Sequence, residues 1–156
     1  MLGAVIPFGH WVRRGVVSLG RELPWAYARM GAALGPRVVA LAVDGEDAFV
    51  GWRDGAAWVR ETLPRGVTPT VTLRTARRAV VALADGDDTL VTAVMAGRVV
   101  LRGPVDDLVA FHNALMAFLQ GAVRAPSFAL TLDEFRAWQQ ARDAQSQPQE
   151  SPPRHD

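Results

Sequence analysis

The 156-residue chain is predicted to fold as an α+β domain built on a mostly antiparallel sheet of about five strands. Three observations carry that reading. Two Asp-Gly pairs, Asp44-Gly45 and Asp54-Gly55, sit between apolar runs, where a tight hairpin turn needs positive φ at both central residues. Apolar residues recur at helical spacing from Ala76 onward and again after Pro104. Between those helical stretches, Arg98 to Arg102 alternates, with Val99 and Leu101 on one face and Val100 with both arginines on the other.

The elements follow in order. The opening Met1 to Gly20 has no positive charge ahead of its apolar run, which Pro7 and His10 interrupt, so it makes a poor signal peptide. It reads as a helix packed on the domain. Arg13, Arg14 and Arg21, with no acidic residue before Glu22, keep a membrane-surface helix as the alternative. Arg21 to Gly35 is a second helix with Pro24 near its start and Gly35-Pro36 as its stop; Trp25, Ala28, Ala32 and Leu34 are expected to face the body. Arg37 to Val43 is almost continuously apolar, as in a strand covered on both faces. The two Asp-Gly turns lead through Asp47–Trp52 and Ala56–Leu63, and Thr70–Thr75 resumes as a strand with Val71 and Leu73 on one face. Two short helices follow, one carrying Ala79, Val80, Leu83 and Ala84 and the other Leu90, Val91, Val94 and Met95; Gly97 ends the second.

Pro104 and the acidic pair Asp106-Asp107 suit the first turn of a long helix. Its stripe of Val105, Leu108, Val109, His112, Leu115, Met116 and Leu119 is widened by Phe111 and Phe118, as on a helix lying between two layers. Arg124 to Phe128 are expected to break it, and Thr131 to Glu134 has the pattern of a capping box opening a last helix with Leu132, Phe135 and Trp138. The domain organisation is therefore an N-terminal helical segment at 1–36, the main domain at 37–143, and a polar, proline-rich tail at 144–156, expected to be disordered.

Composition removes several chemistries. There is no cysteine, hence no disulfide, thiolate metal site or thiol nucleophile. All 17 basic residues are arginine, which excludes a lysine Schiff base and a phosphate-loop lysine. A net charge of +1 gives no global field for nucleic acid, and no run approaches the ~20 apolar residues of a membrane span. His10, His112 and His155 have no metal-ligand spacing, and no serine lies in a nucleophile-elbow pattern. Asp85, Asp87 and Asp88 lack the ligand periodicity of a calcium loop and read as a solvated turn. No enzyme, cofactor or metal site is expected. What remains is surplus apolar surface, 49% of the residues being hydrophobic, which either an apolar cavity or an interface would use.

The run from Thr70 to Leu119 resembles the sterol carrier protein type 2 family of lipid-binding domains. The resemblance rests on a VTLRT strand, a helix ending LADGDD, a helix ending in AVMAGRVVLRG, and the long helix directly after it. It extends over about Arg37 to Val123. It implies helices on one side of the sheet around a hydrophobic tunnel, and a carrier of a hydrophobic ligand (a fatty acid, acyl-CoA, sterol or isoprenoid lipid). The compartment does not follow from the resemblance, and a cytoplasmic location is a separate expectation. By analogy the tunnel is lined by Val71, Leu73, Val80, Leu83, Leu90, Val94, Met95, Phe111, Leu115, Phe118 and Phe128, with Phe128, Leu130 and Phe135 as a lid. Arg77, Arg78 or Arg98 could meet an acidic head group at the mouth. The alternative is an interaction module that dimerises or docks a lipid- or quinone-biosynthetic enzyme without transport.

Overall fold

The computed structural model describes residues 6–146. Two helices, α1 (Phe8–Glu22) and α2 (Pro24–Leu34), precede strands β1 (Val39–Val43), β2 (Glu46–Arg53), β3 (Ala56–Arg60) and β4 (Val71–Thr75). Short helices α3 (Arg77–Asp85) and α4 (Leu90–Met95), strand β5 (Val99–Arg102) and long helices α5 (Val105–Ala122) and α6 (Pro126–Ser146) complete the chain. Helix α6 thus runs three residues into the predicted tail, the rest of which lies outside the described residues.

The sheet order is β3-β2-β1-β4-β5. Both Asp-Gly pairs make the expected turns, with positive φ at Asp44, Gly45, Asp54 and Gly55, and produce the antiparallel β1–β2 and β2–β3 pairs. The connection after β3 carries the chain back along the sheet, so β4 joins β1 in parallel, Val39 opposite Val71; β5 then pairs antiparallel with β4. The sheet is therefore mixed, with one parallel pair.

One face, carrying Val39, Leu41, Val43, Val50, Leu73 and Val99, lies under the helices. The other carries Ala40, Ala42, Thr72 and Val100 with Arg74 and Arg102, and it is open enough that Val100 is 41% exposed. This corrects the expectation of β1 covered on both faces. Its outward residues are alanines, small enough to be shaded by neighbouring strands without a second helical layer.

Three further expectations are corrected. Helix α2 buries Ala26, Met30, Gly31 and Leu34, whereas Trp25, Ala28 and Ala32 face outward. The reason is close packing: a Cβ on Gly31 would collide with the Trp52 ring, and one on Gly121 of α5 with Leu19 and Ala26. Small residues therefore mark the contact, and the large indole of Trp25 stays outside between Arg29 and Arg124. For the same reason α5 buries Phe111, Ala114, Ala117, Gly121 and Ala122 while Val105 and Val109 are exposed. Finally, α6 begins at Pro126, so Thr131 to Glu134 lies inside a helix and not at its start. The cap comes from a distant residue: the Glu22 carboxylate accepts the backbone N–H and the hydroxyl of Ser127. The Thr131 hydroxyl instead donates to the Ser127 carbonyl at 3.0 Å, one turn back.

An apolar cavity between sheet and helices

The inward face of the sheet and the helical layer do not close on each other. They leave a cavity of about 240 Å³ whose wall is almost wholly apolar. The sheet supplies the floor through Val39, Leu41, Val43, Val50, Leu73, Thr75 and Val99. From α3 come Val80, Leu83 and Ala84, and from α5 Phe111, Ala114, Leu115, Phe118 and Leu119. Helix α6 contributes Phe128, Thr131, Leu132 and Phe135.

The space exists because the bulky residues sit around its rim. Phe118 and Phe128 meet edge to face at 5.7 Å, and Phe135 meets Phe8 at 6.2 Å and Trp11 at 5.6 Å. Rings held in such contacts cannot swing inward to fill the gap. An apolar cavity of ~150 Å³ stays dry and takes up benzene, so one of this size and lining is more hospitable to hydrocarbon than to water.

Of the residues singled out from sequence, Leu73, Val80, Leu83, Phe111, Leu115, Phe118 and Phe128 reach the cavity wall. Val71 and Leu90 do not: they are buried in the core beside it, and Val94 is partly buried against that core. Met95 is 83% exposed, because α4 has only six residues and its inward side is taken by Leu90 and Ala93. Among the lid candidates Phe135 and Phe128 line the cavity, whereas Leu130 points to solvent at 65% exposure.

Sequence reasoning does not assign α1 and α2 to the site, yet they close one wall with Phe8, Trp11, Val12, Gly15 and Val16 from α1 and Met30 and Leu34 from α2. The signal is present in the spacing Phe8, Trp11/Val12, Gly15/Val16, Leu19, an apolar stripe of helical period. That stripe faces inward, and the arginines beside it are bound to the domain: Arg13 donates to the Val59 carbonyl at 2.8 Å and pairs with Glu61, and Arg14 pairs with Glu134. Helix α1 is therefore a wall of the domain, its apolar side occupied.

Two of the three arginines considered for a head group are engaged elsewhere. Arg77 is buried beneath the Trp138 ring and held by Asp44 and Glu46, and Arg98 pairs with Asp88 at 2.6 Å. Arg78 is exposed, and none of the three lines the cavity. The acidic turn is likewise structural, since Asp88 accepts the Thr89 N–H and Asp85 pairs with Arg136 of α6. Among the described residues no cluster of three metal-ligating side chains occurs, and no single helix is long and apolar enough to cross a membrane.

No protein-family model matches the sequence, and no curated protein is significantly similar to it. Solved structures are similar in shape. One, described as a "UbiJ-SCP2 ubiquinone synthesis protein", superposes with a TM-score of 0.53 at 14% identity, covering 71% of this chain and 99% of its own. Another, the sterol carrier protein domain 2 of Helicoverpa armigera, gives 0.52 at 15% identity, covering 71% of this chain and 87% of its own. The fold is that of sterol carrier protein 2. Within the sterol carrier protein 2 fold, the AVMAGRVVLRG segment serves the topology. Gly97, at φ 76°, closes α4 and turns the chain into edge strand β5. The following Asp107 then ties α5 to Arg37, just before β1, at 2.7 Å.

Proposed function

We propose that this protein binds and carries a hydrophobic ligand in the cavity without performing chemistry on it. The observation that carries the reading is the wall itself: about 240 Å³ of space with no charged side chain lining it among the described residues. The contacts would be made by Leu73, Val80, Leu83, Phe111, Leu115, Phe118 and Phe128, together with the α1 residues Phe8, Trp11 and Val12. The volume lies just below the ~300–1,000 Å³ of ordinary ligand pockets, which suits one slender chain better than a rigid multi-ring body. At ~0.8 kcal/mol per buried CH₂, about fifteen buried carbons contribute about 12 kcal/mol, which leaves micromolar affinity after ~4 kcal/mol of association cost.

The likeness to sterol carrier protein domains supports this reading at the level of the fold. The likeness to a ubiquinone synthesis protein favours a second reading, in which the chain shelters a greasy intermediate while docked on a biosynthetic enzyme. The test is a titration of the delipidated, folded protein with an environment-sensitive fatty-acid probe, followed by displacement with a fatty acid, an acyl-CoA, a sterol and a prenyl-quinone. Saturable micromolar binding is expected, with the order of displacement reporting the ligand class. No saturable binding would overturn carriage and leave the docking module.

A further inference from the structure

Helix α5 has three sides, and two of them are occupied. Phe111, Leu115 and Phe118 face the cavity. Ala117 and Gly121 are buried on the side packed against α2, where a Cβ on Gly121 would collide with Ala26. The third side is open. Val105 is 75% exposed, Val109 53% and Val123 72%, with His112 and Met116 half-buried between them. Steps of four, three, four and seven residues keep these five along one line, since the backbone stays helical through the C-cap at Val123. An apolar seam of that period fits another helix.

The charges at its two ends decide which helix. Asp106 in the first turn and Arg124 just past the last are eighteen residues apart, about five turns, and so flank the seam on the same side. Both are exposed, and neither belongs to an ion pair among the described residues. Beside Asp106, the Asp107 carboxylate is tied to Arg37, and Arg102 lies on the far face of the sheet with Thr72. Beside Arg124, the Glu22 carboxylate is held by Ser127, and Arg29 shares the Trp25 ring with Arg124. The seam therefore runs from an unpaired carboxylate to an unpaired guanidinium. An anionic membrane or a nucleic acid presents one sign of charge along its length and does not match that order. A second copy turned end for end does match it. About a two-fold axis Val105 meets the partner's Val123, His112 the partner's Met116, and Asp106 the partner's Arg124, each contact occurring twice.

We propose that the protein self-associates through this side of α5, two copies packing the helix antiparallel with Asp106 of each against Arg124 of the other. The seam residues lie outside the cavity wall, so the dimer stands or falls independently of ligand carriage. Eighteen residues at ~1.5 Å each make a strip about 27 Å long and one helix wide, at the small end of interfaces, so micromolar association is expected.

Sedimentation equilibrium over ~5–500 µM brackets an association of that strength. Asp106→Arg and Arg124→Asp should each weaken the dimer about tenfold, because two surface ion pairs per dimer become repulsions. The double variant carries both reversals and should recover wild-type association. The two single variants mixed in equal amounts should form a heterodimer about as tight as the wild type, since each charge then meets its opposite. Val109→Asp places a charge in the seam and should leave only monomer. Circular dichroism checks the fold of every variant. NMR of the wild type across the same dilution needs no variant, and its shift changes should concentrate on the outer side of α5. A wild type that stays monomeric, single variants as tight as the wild type, a double variant no tighter than the singles, or shifts confined to another surface each overturns the proposal.

Discussion

Filling the cavity should stabilise the protein and weaken its ligand, two effects that are opposite in sign and share one cause. Ala114 lies on α5, is 5% exposed and contributes to the cavity wall. Ala114→Leu adds three carbons. Deleting the same atoms from a leucine elsewhere opens a void of ~150 Å³, so the larger side chain fits within about 240 Å³ with space to spare. At ~0.8 kcal/mol per buried carbon the gain is about 2 kcal/mol. For a domain of this size that raises Tm by about 4–8 °C. The same three carbons displace a similar length of ligand chain, so binding of the fatty-acid probe should weaken by roughly 30-fold. Thermal unfolding followed by circular dichroism measures the first effect and a probe titration the second. A fall in stability by the ~1–3 kcal/mol typical of overpacking would contradict this expectation, because it would mean that the space beside Ala114 is already occupied.

The helix contacts make further predictions. Gly31→Ala drives a methyl group into the Trp52 ring and should cost ~1–3 kcal/mol in urea denaturation, whereas an alanine at an open helical position would be neutral or helpful. Glu22→Ala removes the acceptor for the first turn of α6 and should cost ~1 kcal/mol, with faster amide exchange at Ser127 as the local sign. Glu134 should titrate below the ordinary glutamate range, held there chiefly by its hydrogen bond from Arg14. Because the folded-state value is depressed, its contribution to stability is present above the ordinary glutamate value and lost as pH falls through the lowered one. A carbon-detected NMR titration of the Arg14→Gln variant should return Glu134 to the ordinary range, and an unchanged midpoint would remove Arg14 as the cause.

Short-range chemistry is fully written in the sequence. The Asp-Gly turns, the stop at Gly97 and the alternation of β5, with Val99 1% exposed and Val100 outward, all follow from φ preferences and a period of two, which depend on neighbours in the chain. The order of elements from Thr70 to Leu119 is legible through the family resemblance, and it is by that analogy that seven residues of the cavity wall are named from the sequence. Which surface meets which is a different matter, settled by packing. Apolar count favours Trp25 and Val109 as inward residues, but close packing selects small side chains, Gly31 of α2 against Trp52 of β2 and Gly121 of α5 against Leu19 and Ala26, so these and Ala117 lie inside instead. The start of α6 depends on a carboxylate more than a hundred residues away, at Glu22, which no local pattern could announce. Composition and periodicity suffice to show apolar surface in surplus. Whether that surplus fills a core or encloses space turns on rings around the rim, too large and too well held to collapse inward. Their packing leaves the cavity open.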